Sequence, residues 1–191
     1  AFRRLGVPVF DADASVHALM APGGRGHAAV LKMFPAAEAA DGSIDRKRLG
    51  AAVFEKPDDL RRLEAILHPL VGEARQHFLR RARALGAALV VLDVPLLFET
   101  GGESRCDYVA VVSAPAFVQR RRALRRPGMT GKKLAGILAQ QTPDAEKRRR
   151  ADFVIPSGLG RNVSLRAIRR IRKMLSQPGL AGRPGRKRSL A

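Results

Sequence analysis

Four short runs of apolar and β-branched residues fix what this chain can fold into. "VPVF" (7–10), "ALVVLDV" (88–94), "YVAVV" (108–112) and "FVI" (153–155) are each nearly continuous in apolar character. A strand with one wet face alternates, whereas a strand covered on both faces does not. Between these runs the apolar residues recur every three or four positions. In "PDDLRRLEAILHPLV" Leu60, Leu63 and Leu67 share a face, with Asp58 and Asp59 near the start, where acids complement a helix dipole. "GEARQHFLRRARALG" carries the stripe on through Val71, Ala74, Phe78, Ala82 and Leu85 and stops at Gly86. "SLRAIRRIRKML" sets Leu165, Ile168, Ile171 and Leu175 on one side. Strands alternating with helices predict an α/β fold built on a parallel sheet.

The spacing adds detail. Some 75 residues separate the first two runs, far more than one crossover helix needs. They predict an inserted helical lobe over residues 14–86. A length of 191 residues with 46% hydrophobic content suits one compact domain, residues 1–177. One cysteine, Cys106, excludes an internal disulfide and fits a reducing cytoplasm. No run approaches a membrane span, so no membrane partner is expected, and no signal peptide is visible. The opening "AFRRLG" reads as the last turn of a helix closed by Gly6, so the chain is expected to be a fragment that begins inside a helix. The closing residues 178–191 hold Gly, Pro and Arg with two leucines and predict a disordered basic tail.

The formal net charge is +19, from 36 Lys and Arg against 17 Asp and Glu. Against that background, carboxylates at strand ends need a reason. Asp11 and Asp13 follow the first strand and Asp93 closes the second, so two strands deliver acids to one sheet edge. In open parallel sheets, ligands sit beyond the carboxyl ends of strands. Asp11 is either the cap of the next helix or a ligand-facing acid. Pro95 forces an extended path on Val94 and leaves Asp93 at a loop mouth. Basic residues gather elsewhere. "QRRRALRRPGMTGKK" carries seven Lys and Arg between 120 and 133, and one amphipathic helix would set Arg122 and Arg126 on the same face. "EKRRR" supplies Lys147 to Arg150. Carboxylates at a sheet edge together with arginines match the needs of phosphoryl transfer. One acid accepts the nucleophile's proton, another helps hold Mg²⁺, and cations neutralise the phosphates.

"LGVPVFDAD", "LEAILHPLV", "LVVLDVPLLFETGGE", "RRPGMT" and "AEKRRRADFVI" occur in this order, and together the set resembles the dephospho-coenzyme A kinases over residues 1 to about 173. The resemblance implies a P-loop kinase fold related to the nucleoside monophosphate kinases. Its core would comprise residues 1–13, 87–114 and 141–177, its helical CoA lobe residues 14–86, and its lid about residues 115–140. It implies transfer of the γ-phosphate of ATP, with Mg²⁺, to the ribose 3′-hydroxyl of dephospho-CoA, the last step of coenzyme A synthesis; a monomer is expected. Asp13 takes the place of the base that accepts the hydroxyl proton. Asp11, His68, Pro69, Asp93, Leu97, Phe98 and Glu99 match substrate-binding positions. Arg122 and Arg126 match basic lid positions, and Lys147 matches a phosphate contact. No dedicated metal cage is expected.

Two departures from the family pattern stand out. The phosphate loop G-x-x-x-x-G-K-[ST], with the strand before it, belongs just ahead of the helix that ends at Gly6, and these 191 residues do not contain it. "APGGRGHA" at 21 and "GLGRN" at 158 lack the spacing, so the chain as it stands is expected to transfer phosphate very poorly, and a fragment with no function of its own is one alternative. The other departure is Pro156 in "VIPSG", where the family usually carries a polar residue near the adenine. A basic nucleic-acid-binding protein is the alternative that the charge raises. Aromatic content of 5% and the absence of Trp argue against base stacking, so no specific nucleic-acid partner is expected.

Overall fold

The computed structural model describes residues 1–53 and 56–177. The expected tail, 178–191, lies outside the described residues. The chain divides into two compact units, Val7–Val94 and a second that joins Ala1–Gly6 to the chain from Pro95 onward.

In the first unit, β1 (Val9–Asp11) pairs in parallel with β2 (Val91–Asp93), in the register Val9↔Val91, Phe10↔Leu92 and Asp11↔Asp93. The second strand was expected over 88–94, and the paired part is shorter. Pro8 supplies the reason. It has no N–H to donate, and it enters the ladder only as acceptor, from Val91 N–H at 2.9 Å. Between the strands lie α1 (Ala12–Met20), α2 (His27–Met33), α3 (Arg46–Val53) and α4 (Pro57–Ala84). The expected helical insertion is therefore present. Its two apolar stripes after residue 57 form one 28-residue helix that runs through Pro69. Pro57 at its start, acids at 58 and 59, and arginines at 81 and 83 suit the two ends of the helix dipole.

Val30, Phe34, Ala37, Leu49, Leu63 and Leu67 form the core of this unit, with Val16, Met20 and Ile44 packed against it. The helices are thus held by a shared apolar interior. At the strands, Phe10 meets Phe78 of α4 with ring centroids 5.7 Å apart.

In the second unit, β3 (Ala110–Ser113) pairs in parallel with β4 (Phe153–Pro156). Pro156 stands at the strand's last position, opposite Ser113, where its missing N–H costs little. The next residue, Ser157, resumes bonding, its N–H to the Ser113 carbonyl at 2.7 Å. Helices α5 (Ala116–Leu124) and α6 (Gly131–Ala139) form a hairpin. They are followed by α7 (Asp144–Arg150) and, after β4, by α8 (Arg161–Leu175). The predicted stripe of α8 is the one it buries: Ile168 and Ile171 pack with Ile155, and Leu175, Phe2 and Leu5 close the cluster. Gly6 ends the opening helical turn in the left-handed region, at φ 77°, as the sequence indicated.

The single helix expected to carry both Arg122 and Arg126 is a correction. Helix α5 ends at Leu124, and Arg126 lies in the turn beyond it. Pro127 disfavours helical backbone at Arg126, and Gly128 then turns the chain at φ 73°.

Candidate active site

In the first unit the site is built on the end of β1. Asp11 is its last residue and also the N-cap of α1: its side chain accepts the Ala14 N–H at 2.9 Å. One of the two roles left open by the sequence is therefore filled. Asp13 follows in the first turn of α1 and is exposed. The parallel register sets Asp93 beside Asp11, and Asp93 is also exposed. Like charges in neighbouring register positions repel, so this pair suits a place where a cation or a hydroxyl is the partner. Four residues after Asp13, on the same face of α1, His17 accepts a bond from the Arg46 guanidinium at 2.7 Å. Sequence reasoning passed over both of these residues, although the Asp13–His17 spacing was there to read.

His68 and Pro69 lie on the exposed side of α4. Leu63 and Leu67 take the buried side.

The acids of the second unit are treated differently. Glu99 pairs with Lys147 at 2.7 Å, with the two side chains 14% and 17% exposed. The same carboxylate oxygen of Glu99 accepts the Thr142 N–H at 3.0 Å. Burial pushes the Glu99 carboxyl up, but the Lys147 ammonium and the backbone N–H groups outweigh it and hold the pKa below the ordinary value. Glu103 pairs with Arg150, which also reaches Glu146 at 3.2 Å and stacks 4.6 Å above the Phe98 ring. Phe98 is buried with Val109 and Val111, while Leu97 lies at the edge of that cluster. Phe98 therefore supports its segment from within. Sequence reasoning did not single out Glu103 or Arg150 as partners.

Arg122 is tied to the segment after β4. Its guanidinium donates to the Ser157 carbonyl at 2.7 Å and to the Ser157 hydroxyl at 3.2 Å. The buried Ser113 hydroxyl, at the end of β3, donates to Asp144 at 2.8 Å. Arg126 is exposed. The structure thus joins Glu99 to Lys147 and sets Asp11, Asp13 and Asp93 at one strand edge, and it leaves Arg122 and Arg126 on separate elements.

Among the described residues no group of three or more His, Cys, Asp or Glu forms a metal cage. No helix of the described residues is long and apolar enough to cross a membrane.

Known proteins are similar to this chain in sequence and in fold. The sequence profile of the dephospho-CoA kinase family matches residues 1–159. A dephospho-CoA kinase of Rhodospirillum rubrum is 58% identical over 167 residues, which cover 87% of this chain and 79% of that one. One of Paramagnetospirillum magneticum is 61% identical over 146 residues, covering 76% and 68%. Among solved structures, TT1252 from Thermus thermophilus superposes with a TM-score of 0.74 at 32% identity, covering 91% of this chain and 86% of that one. A dephospho-CoA kinase from Campylobacter jejuni shares the fold at a TM-score of 0.64 and 21% identity, covering 90% and 87%. With a family profile matched over residues 1–159 and relatives of this identity and coverage, the chain belongs to the dephospho-CoA kinase family, a family of ATP-using phosphotransferases.

Proposed function

We propose that this chain handles the acceptor and the phosphates in transfer of the ATP γ-phosphoryl group to the ribose 3′-hydroxyl of dephospho-CoA. The observation that carries the reading is Asp13, exposed in the first turn of α1 just beyond the carboxyl end of β1. In the transfer the 3′-oxygen forms a bond to the γ-phosphorus, the bond from that phosphorus to the bridging oxygen breaks, and ADP leaves. The hydroxyl proton passes to the Asp13 carboxylate. Asp11 is the positioning residue: its cap fixes the start of α1 and with it the place of Asp13. His68, Pro69, Asp93 and Leu97 are the substrate-side residues; Phe98, buried with Val109 and Val111, and Glu99, paired with Lys147, hold the segment that carries Leu97. Arg122 and Arg126 meet phosphate, and Lys147, through its pair with Glu99, fixes the segment that follows them.

Mg²⁺ fits this donor set in one way. The strand edge offers hard carboxylate oxygens but no cage, which suits an ion that keeps phosphate and water ligands and takes one or two carboxylates. Asp93 would hold it, and the ion would supply neutralisation of phosphate charge. A cytoplasmic enzyme that acts as a monomer is the matching setting, and a single cysteine fits a reducing compartment. Size-exclusion chromatography of the purified chain checks the monomer.

Calorimetric titration with dephospho-CoA tests the reading. Heat of binding at millimolar ligand or below is expected, and its absence on folded protein overturns it. Joining a family-like strand and G-x-x-x-x-G-K-[ST] loop ahead of Ala1 should then give phosphate transfer, because that loop holds the phosphates in line.

A further inference from the structure

We propose that His17 and Arg46 form an anion clamp for the diphosphate of the acceptor substrate. The proposal rests on the dephospho-CoA reading above. Its basis is a contact between two helices. The Arg46 guanidinium lies 2.7 Å from His17 Nε2. A guanidinium has only donors, so Nε2 is the acceptor and the ring proton sits on Nδ1. The pair therefore presents the remaining guanidinium N–H groups and an imidazole N–H, and nothing but donors. Among the described residues neither side chain has a carboxylate partner, and both are exposed. Two donor-rich side chains brought together, with no carboxylate bonded to either, make a place for an anion.

The backbone beneath the pair is fixed. Val16, the neighbour of His17, and Leu49, three residues after Arg46, belong to the same apolar core. Asp45 accepts the N–H groups of Lys47 and Arg48 at 2.8 and 3.2 Å, which sets the first turn of α3. Arg48 is drawn away to Asp45 and to the Glu38 carbonyl, and Arg46 is left for His17. The clamp is thus held by two helices anchored at their far faces.

The position suits one anion. His17 stands one helical turn from Asp13 on the same side of α1. In dephospho-CoA the 5′-diphosphate is joined to the reacting 3′-hydroxyl through C3′, C4′, C5′ and O5′. A base and an anion clamp one turn apart can therefore hold the two ends of one ribose. Fixing the diphosphate would orient the hydroxyl toward Asp13, a contribution of positioning.

Calorimetry with dephospho-CoA and with adenosine, which keeps the ribose and lacks the diphosphate, tests the clamp on the chain as it stands. Arg46→Gln should raise the Kd for dephospho-CoA about tenfold and His17→Ala severalfold. Arg46→Lys should recover part of the loss, and added salt should narrow the gap between wild type and Arg46→Gln. Adenosine affinity should stay unchanged in all three variants. Both positions are exposed, so melting temperatures near that of the wild type are expected. Equal losses for adenosine and dephospho-CoA overturn the clamp, as does unchanged affinity for dephospho-CoA in the variants while the wild type binds it. A wild type that binds no dephospho-CoA overturns the functional reading and the clamp together.

Discussion

The two units use carboxylates in opposite ways. In the first, Asp13 and Asp93 stand exposed at a strand edge, and only Asp11 is spent on a helix cap. In the second, Glu99 and Glu103 are mostly buried, and each meets a cation on α7. A carboxylate that must accept a substrate proton has to be reachable and uncommitted. A carboxylate that holds two segments together works best out of water, where its pair is less screened. Acids of the same kind therefore divide into chemistry and architecture according to burial and partner.

Asp13→Asn gives the sharpest test of that division and the largest expected effect. In a form carrying the phosphate loop ahead of Ala1, kcat should fall by roughly 10²–10⁴-fold, the range of a general base. The melting temperature should stay near that of the wild type, because the residue is exposed. A steady-state assay beside a thermal melt reads both, and a stability loss without a kcat loss would erase the contrast between the units.

Lys147→Met should do the reverse. Removing one partner of a mostly buried pair leaves Glu99 uncompensated and should cost about 3 kcal/mol of stability. Chemical denaturation measures it. The double replacement Glu99→Leu with Lys147→Met should recover most of that loss, because a well-packed apolar pair replaces an ion pair at little cost. A single variant as stable as the wild type would show that the pair is not architectural.

Acid titration refines the same point with a smaller effect. The Glu99 carboxyl is held below its ordinary value of 4.5 in the folded chain. Its contribution to stability is therefore fully present above that value and lost as the pH falls through the lower folded value. Glu99→Gln should flatten the stability–pH curve in that acid window and leave its shape near neutrality unchanged. Denaturant melts between pH 3 and 7 would show an undiminished acid slope if Glu99 were not the group responsible.

The smallest effect belongs to Asp11. Asp11→Ala should cost about 1 kcal/mol through the lost cap, whereas Asp11→Asn, which still caps, should cost a few tenths. Neither should lower kcat as far as Asp13→Asn. If Asp11→Asn were the more damaging of the two Asn variants, the base would be the wrong carboxylate.

Much of this could be read along the chain, because strands, helix stripes and caps are local patterns. The run ending in Asp11, the stripe of α8 and the stop at Gly6 each follow from a few neighbouring residues. The family motifs extended that reading to Asp13. The pairs that organise the second unit were out of reach. Glu99 and Lys147 are 48 positions apart, as are His68 and Ala116, and nothing in local periodicity distinguishes a true partner from any other residue at that distance. Arg150 looked like one cation among four, and only the packing shows it lying over Phe98. The break between Arg122 and Arg126 depends on Pro127 and Gly128, a turn signal that the arginine spacing obscured.

Pro69 has a consequence for how the acceptor side opens. With no N–H at this position, the Ala65 carbonyl lacks its helical partner, so the hydrogen-bond ladder of α4 is interrupted between two differently anchored halves. Leu63 and Leu67 tie the first half to the helical core, and Phe78 ties the second to the strand through Phe10. Amide exchange should therefore divide this one helix into two blocks of protection. The block before Pro69 exchanges with the helical core that also anchors α1 through Val16 and Met20, and the block after it exchanges with the strand that ends at Asp11, so Asp13 stands where two independently protected blocks meet.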